Sequence, residues 1–446
     1  MKTKGIDLTE GSPGKGLLLF ALPMILGNLF QQFYNMVDTI IVGKYVGEDA
    51  LAAVGASYAL TTVFVMIAIG GGTGASVVIS QYLGAKESGK MKTAISTAII
   101  TFLGTSILLG LFGILANRHI LTVLSTPDNI MEDAALYLRI YFTGLPFLFM
   151  YNILAAIFNS LGDSRTSLYF LIFSSVLNIF LDLFAVRVMH MGVAGVAIAT
   201  VTAQGIAAVL SFLVLIKRLQ SYDGKHKFFD VPILGNMVRI AIPSIIQQSI
   251  VSVGMLLVQS VVNGFGSSVL AGYTGGMRLE SICVVPMISM GNAVSTFTAQ
   301  NIGADKIERV KQGYRASYFI VGAFAVVICA VLLIFKDPLI LMFLEENAGG
   351  KAFDTGVSYL SFIAYFFVFL GLKASTDGVL RGAGDVLVFT AANLVNLAIR
   401  VSFAFVMAPV LGVQAVWFAV PIGWTVNYIL SGLRYLTGRW SRKKLV

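Results

Sequence analysis

The stretch LIKRLQSYDGKHKFFDVPILGNMVR, residues 215–239, is the longest polar break in an apolar chain and lies at the middle of its 446 residues. The segments on its two sides resemble each other, and matching places lie 219 to 222 positions apart. The clearest pairs are ISQYLGAKE with TAQNIGADK (79–87 and 298–306), FNSLGD with LRGAGD (158–163 and 380–385) and GVAGVAIAT with GVQAVWFAV (192–200 and 412–420). We therefore predict an N-terminal lobe over residues 1–220, a connecting loop over 221–234 and a C-terminal lobe over 235–446.

Both halves are apolar enough to lie in a lipid bilayer. The chain is 57% hydrophobic and 12% charged, with a mean hydropathy of +0.85. Its apolar runs are near or above the roughly 20 residues with which a helix crosses a bilayer. We predict twelve spans, at 16–43, 51–80, 93–116, 134–158, 167–187, 192–216, 235–263, 270–300, 316–335, 354–380, 386–411 and 413–436.

Twelve helical spans in two equal halves predict an all-α integral membrane protein. Six is an even number, so the two six-helix bundles have the same orientation, as in transporters built from parallel repeats. A pseudo-two-fold axis along the membrane normal relates such bundles. We expect them to form a V around a central cavity near the bilayer midplane.

The basic residues predict the orientation of the chain. With the N-terminus in the cytoplasm, 22 of the 31 Lys and Arg residues lie on the cytoplasmic side and five on the other. This bias predicts a multi-pass protein of the cytoplasmic (inner) membrane with both termini in the cytoplasm. The net charge of +9 is then a consequence of topology, so we expect the lipid bilayer as a partner and no nucleic acid. We expect a monomer.

The motifs do not indicate an enzyme. GAKESGKM (84–91) fits GxxxxGK, but Met91 stands where a Walker A motif needs Ser or Thr for magnesium, and a membrane helix precedes it. No nucleophile and base stand out as a pair, and the three histidines fall in predicted loops. We predict no enzymatic activity and no cofactor.

Polar residues follow one face of the first span. Asp38 is the only formal charge between Lys15 and Lys44. Gln31, Tyr34 and Asp38 are spaced so that they share a helical face. Such a face in a membrane must meet another polar helix or water, because lipid would leave its polar groups unpaired.

The fifth and sixth spans supply polar groups that can meet this face. Asn178 and Asp182 lie one helical turn apart, and Thr200 adds a hydroxyl group. Two carboxylates, an amide and a hydroxyl can bind a small hard cation through oxygen, or share protons. The alternative is a buried polar cluster that only holds these helices together.

The repeat favours a specialised site in the first half. The offset of about 220 residues puts Val258 where Asp38 stands, and Arg400 opposite Asp182. The second half therefore lacks the acid pair. A role that is purely structural would be expected in both halves.

Six ordered motifs resemble the multidrug and toxic compound extrusion (MATE) family over essentially the whole chain: VDTIIVGKYVG (37–47), QYLGA (81–85), GDSRTS (162–167), NIFLD (178–182), QNIGA (300–304) and LRGAGD (380–385). This resemblance implies a secondary antiporter that exports small organic cations from the cytoplasm in exchange for H+ or Na+. It implies that Asp38, Asn178, Asp182 and Thr200 form the cation-coupling site. Na+ is the one metal ion that this site would hold. Loading of this site would bend the first helix at Pro23 and expel the substrate.

Further polar residues within spans are candidates for substrate contact. We predict that Gln31, Tyr34, Asn152 and Glu280 bind substrate, because a polar side chain within a membrane span seldom serves packing alone. Glu280 is equally explained by structural pairing. Asp377 follows Lys373 by four residues, and this spacing predicts an ion pair.

Two other functions are compatible with a chain of this kind. A lipid-linked oligosaccharide flippase of the same superfamily has a similar helix count, although the acid pair argues against it. A non-transporting membrane scaffold is the other alternative, but it would give the buried acids no function.

Overall fold

A computed structural model describes residues 5–344 and 350–445, and these residues form α-helices joined by short turns, with no strand among them. Fourteen α-helices lie in this part of the chain. They are α1 (Pro13–Tyr45), α2 (Glu48–Gly84), α3 (Ser88–Val123), α4 (Asp128–Thr143), α5 (Leu145–Ser160), α6 (Ser164–Leu183), α7 (Gly192–Leu219), α8 (Val231–Asn263), α9 (Ser267–Gly303), α10 (Ile307–Leu341), α11 (Gly350–Ile363), α12 (Phe367–Gly382), α13 (Val386–Leu411) and α14 (Gln414–Leu436).

These helices form eleven apolar spans, or twelve if the bent pair α4 and α5 is one span. The prediction of an all-α integral membrane protein is confirmed. α6 continues into a π-helical turn at Phe184–Val188 within one span. A 3₁₀ turn at Ala364–Phe366 joins α11 to α12 within another.

The predicted span over 134–158 consists of two helices. The chain breaks at Gly144, and α4 and α5 meet at an angle of 51°. Pro146 lies in the first turn of α5, where it cannot donate a backbone hydrogen bond and its ring would clash with a preceding helical turn. A Cβ atom on Gly144 would overlap the Val201 side chain of α7, so the break also permits close helix packing.

The backbone repeats the two-fold pattern of the sequence. Four turns in the first half have a counterpart 219 to 222 residues later with a similar positive φ angle. These pairs are Gly47 with Gly266, Lys86 with Asp305, Gly162 with Gly384, and Gly192 with Gly412. Residues at positive φ are uncommon unless they are glycine, so their recurrence marks equivalent turns in two copies of one helical plan.

Packing divides the chain into two compact units. One contains Leu26–Ile245, and the other contains Ile6–Ile25 with Ile246–Val446. The boundaries lie inside α1 and α8, in each case two residues after a proline, Pro23 or Pro243. The lobe limits at 1–220 and 235–446 stay a prediction. The first part of α1 packs with the second unit and its later part with the first unit, whereas the first part of α8 packs with the first unit and its later part with the second.

The segment before α1 is fastened to α10 within the second unit. Arg309 donates hydrogen bonds to the backbone carbonyls of Leu8, Gly11 and Glu10, at 3.1, 2.7 and 2.5 Å. In the first unit, α3 binds the segment before α8 in a similar way. There the backbone amides of Lys227 and Asp230 donate to threonine hydroxyl groups of α3, both at 3.1 Å.

Replacing Arg309 with alanine is expected to lower the thermal midpoint of the purified protein. Three carbonyl groups lose a charged hydrogen-bond donor. The free energy of unfolding should fall by about 2 kcal/mol, because only part of the energy of these hydrogen bonds contributes to net stability. Thermal unfolding in detergent measures the change. Arg315→Ala removes an exposed arginine from the same helix and is the control. Equal midpoints for the two variants would contradict the role of Arg309.

Candidate functional site

The predicted acid pair is brought together in the first unit. Asp182 on α6 is 0% exposed and Asp38 on α1 is partly buried. Their carboxyl groups are direct neighbours and interact with each other. A hydrogen bond between two carboxyl groups needs a proton on one of them, and two adjacent negative charges repel each other strongly where water is excluded. The pair is therefore suited to hold one positive charge.

Asn178 connects this pair to two further predicted residues. Its side-chain amide lies 2.5 Å from the Tyr34 hydroxyl, 3.0 Å from Oδ2 of Asp182 and 3.3 Å from Oγ1 of Thr200. The Thr200 hydroxyl also lies 3.1 Å from the carbonyl oxygen of Val196. Three helices, α1, α6 and α7, thus meet at one buried amide.

The local sequence explains why these groups converge. Tyr34 and Asp38 lie one turn apart on α1, as Asn178 and Asp182 do on α6, so each helix presents two polar groups on one face. α6 remains α-helical as far as Leu183, which keeps Asp182 in register with Asn178.

The donor set fits a small cation. Oδ1 of Asp38 and Oδ1 of Asp182 are buried and have no hydrogen-bond partner among residues 5–344 and 350–445. Unpaired buried carboxylate oxygens are costly, and a proton or a hard cation would offset that cost. The Asn178 amide lies 3.0 Å from Oδ2 of Asp182, and the Thr200 hydroxyl lies 3.3 Å from that amide. In the same described residues, no three His, Cys, Asp or Glu side chains form a group that could hold a metal ion.

A cavity of about 40 Å³ lies next to this cluster in the first unit. Asn178, Thr200 and Tyr34 belong both to its wall and to the polar cluster. Its walls carry amide and hydroxyl groups and no carboxylate or ammonium group. The lining residues are Gln31, Tyr34, Tyr151, Leu171, Ser174, Ser175, Asn178, Thr200, Ala203 and Gln204.

Sequence reasoning overlooked three polar residues of this cavity. Ser174 and Ser175 lie one turn before Asn178, and Gln204 lies one turn after Thr200. The same helical spacing that links Asn178 to Asp182 would have identified them. Gln31 and Tyr34, predicted to contact substrate, do line the cavity.

Two predicted substrate residues lie elsewhere. Asn152 is not in the wall of this cavity, and its amide donates to the Leu148 carbonyl of its own helix at 2.8 Å. Glu280 belongs to the second unit, where it accepts a hydrogen bond from the Tyr359 hydroxyl and interacts with the charge of Arg400. Both remain predictions as substrate contacts, and each has structural partners that account for it equally well.

The predicted ion pair of Lys373 and Asp377 is confirmed. The Lys373 ammonium lies 3.0 Å from Oδ2 of Asp377, and both side chains are largely buried. Ser431 and Asn393 also donate to the Asp377 carboxylate, at 2.7 and 3.1 Å. Asp377 is thus fully engaged by its own lobe.

Comparison with known proteins extends the family resemblance. The family model MatE matches residues 23–184 and 243–406, one block in each half of the repeat. "Probable multidrug resistance protein YpnP" of Bacillus subtilis is 30% identical over 99% of both chains. "Probable multidrug resistance protein YoeA" of the same organism is 29% identical over 98% of this chain and 96% of its own.

Solved structures share the fold. A crystal structure of MATE in the straight conformation aligns with a TM-score of 0.91, and one in the bent conformation with a TM-score of 0.89. Each is 23% identical in sequence and covers 100% of both chains. With the family model matching both halves and relatives of the same length, the chain belongs to the MatE family of multidrug efflux transporters and is a membrane transporter, not an enzyme.

Proposed function

We propose that this transporter is a secondary antiporter that exports organic cations and related drugs from the cytoplasm in exchange for H+ or Na+. One observation carries the proposal: Asn178 contacts the buried carboxyl group of Asp182 and also lines the adjacent cavity. A cation that loads the carboxyl pair therefore acts on the wall of the cavity. Antiport needs such a connection, because loading of the ion must weaken the binding of substrate.

The cation-coupling site in this proposal consists of Asp38, Asn178, Asp182 and Thr200. Either ion suits it, since a proton can be shared by the two carboxyl groups and Na+ can be bound by carboxylate, amide and hydroxyl oxygens. The charge of the pair is neutralised in both cases. A pH gradient and a sodium gradient, applied separately, show which ion is coupled.

Loading is proposed to bend α1 at Pro23. A proline inside a helix removes a backbone hydrogen bond, so the helix bends there at lower cost than elsewhere. Pro23 lies where α1 passes from one compact unit to the other, and Asp38 lies four turns further along the helix. Related structures described as straight and bent support two forms of this fold.

The proposed orientation follows from the distribution of the basic residues, which puts both termini in the cytoplasm. The protein is proposed to lie in the cytoplasmic membrane as a monomer. In this orientation the segments bound by α3 and α10 are cytoplasmic. Substrate enters the cavity from the cytoplasmic side and leaves on the opposite side by alternating access.

Ion-driven efflux from vesicles tests the proposal. Proteoliposomes loaded with ethidium receive either a pH gradient or a sodium gradient, and the loss of the dye is followed by fluorescence. We expect one gradient to accelerate efflux in the wild type and to have no effect in Asp38→Asn. Acceleration by neither gradient, or by the same factor in Asp38→Asn, would refute ion coupling at this site.

A further inference from the structure

The connection between α7 and α8 carries exposed cations followed directly by exposed aromatic side chains. Residues 225–229 read KHKFF, and we call them the KHKFF segment. Lys225 and Lys227 are exposed, and Phe228 and Phe229 are 78% and 40% exposed. Water is a poor environment for two adjacent phenylalanine side chains. The segment therefore suits a partner that covers apolar rings and carries negative charge.

Hydrogen bonds hold the KHKFF segment against the beginning of α3. The backbone amide of Lys227 donates to the Thr93 hydroxyl, and the Lys227 carbonyl accepts from the Ser96 hydroxyl, both at 3.1 Å. The backbone amide of Asp230 donates to the Thr97 hydroxyl, also at 3.1 Å. The backbone of the segment is thus fixed along the first turns of a helix that is long and apolar enough to span a membrane.

The contacts with α3 give the depth of the segment along this helix. A Cβ atom on Gly89 would meet the carbonyl oxygen of Lys225 at 2.5 Å, so the segment starts at the first turn of α3. The hydrogen bond to Thr97 lies eight residues further, which is about 12 Å along the helix axis. No charged residue lies between Lys92 and Arg118 of α3. The segment therefore runs from the charged end of α3 to the beginning of its apolar part.

The face of α3 that carries the segment continues as an apolar surface. Ser96, which contacts the segment, shares one helical face with Ile100 and Leu103. These two side chains are 44% and 41% exposed. Because α3 is a membrane-spanning helix, this exposed apolar face meets lipid acyl chains. Phe228 and Phe229 lie at the end of the same face, where acyl chains give way to headgroups.

The charge around the segment is positive. Residues 86–92 and 223–230 contain five lysines and three acidic residues. Two of the acidic residues are paired within the first unit, Glu87 with Lys90 at 2.7 Å and Asp230 with Lys227 at 3.5 Å. Lys225 forms no ion pair with any residue in the described part of the chain. Its ammonium group is available to an anion outside the protein.

We propose that the KHKFF segment anchors the first unit to the bilayer surface by binding an anionic phospholipid. Phe228 and Phe229 lie among the upper parts of the acyl chains, and Lys225 and Lys227 contact the headgroup phosphate. Aromatic residues are favoured at this depth, and the long lysine side chains can reach back to the headgroups. The inference concerns a lipid partner and does not depend on the coupling ion or the substrate.

Competition between two lipids tests the role of the lysines. The full-length protein in detergent is mixed with equal amounts of dioleoyl phosphatidylglycerol and dioleoyl phosphatidylcholine, and native mass spectrometry measures the first lipid bound. We expect phosphatidylglycerol to be preferred by at least about fivefold, the effect of one lysine at an anionic surface. Lys225→Gln with Lys227→Gln should reduce this preference by a similar factor.

The control removes the same charge from the second unit. Lys15→Gln with Arg315→Gln replaces two exposed cations there and should retain the preference. No preference in the wild type, or the same loss in both double variants, would overturn the proposal. Displacement of phosphatidylglycerol by soluble glycerol phosphate would also overturn it, because that ligand has the phosphate but no acyl chains.

Fluorescence quenching tests the depth of the aromatic rings. Phe228→Trp is placed in nanodiscs of ordinary lipid or of lipid with brominated acyl chains, and the fluorescence of the wild type is subtracted. We expect bromine to quench the added signal as strongly as that of Ile107→Trp, an exposed position further along α3. Ser221→Trp, an exposed position just after α7, should not be quenched. Quenching of Phe228→Trp no stronger than that of Ser221→Trp would overturn the proposal.

Discussion

Replacing Asp182 with asparagine is expected to reduce gradient-driven efflux of ethidium from proteoliposomes at least about tenfold, since about 1.4 kcal/mol of lost coupling already gives that factor. The substitution keeps the shape of the side chain and removes its ability to take a proton or balance a cation. Asp182 is fully buried and adjoins both Asp38 and Asn178. The assay is the initial rate of dye loss at equal protein incorporation.

The matched control is Asp354→Asn, which removes an exposed carboxylate from α11. This variant should transport at the wild-type rate. Size-exclusion profiles and helical circular dichroism of both variants establish that the fold is retained. Efflux in Asp182→Asn at the rate of the control would contradict a coupling role for the buried acid pair.

Replacing Lys373 with methionine is expected to destabilise the protein by about 3–5 kcal/mol, the usual result of removing one partner from a buried ion pair. Lys373 and Asp377 are 14% and 6% exposed, so the carboxylate that remains is surrounded by protein. A fall in the thermal midpoint, measured by unfolding of the purified protein in detergent, reports the effect.

The ion pair of Lys311 and Glu308 provides the comparison. It has the same charges on one helix, but its side chains are 43% and 78% exposed. Lys311→Met should cost less than about 1 kcal/mol, because exposed ion pairs contribute little. The double variant Lys373→Met with Asp377→Leu should recover much of the lost stability. Similar midpoints for the two lysine variants would mean that Asp377 is compensated by other groups.

The helical plan could be predicted almost completely from the sequence, because it depends on local properties. A run of about 20 apolar residues forms a helix in a bilayer whatever its neighbours are. α13 begins and ends at the predicted limits of 386 and 411. The break at Gly144 was missed although Pro146 marked it, since hydropathy alone does not register the loss of a backbone hydrogen bond.

The candidate site could be predicted in part. Helical spacing placed Asp38 with Tyr34 on one helix, and Asp182 with Asn178 on another. The partners of Glu280 could not be predicted from the sequence. Tyr359 and Arg400 lie 79 and 120 positions away from it, and no local pattern links the three residues. The serines of the cavity required knowledge of which face of α6 meets α1.

By itself the sequence determined that this is a duplicated, twelve-span membrane protein of the MatE family with an acid pair in its first half only. Those properties follow from composition, order and period along the chain. The tertiary structure alone decided that the two acids adjoin each other, that Asn178 links them to a cavity, and that Ser431 and Asn393 join Lys373 around Asp377. Hydrogen bonds reach about 3 Å, whereas the residues that they join at this site lie up to 144 positions apart, so only the packing of helices establishes them.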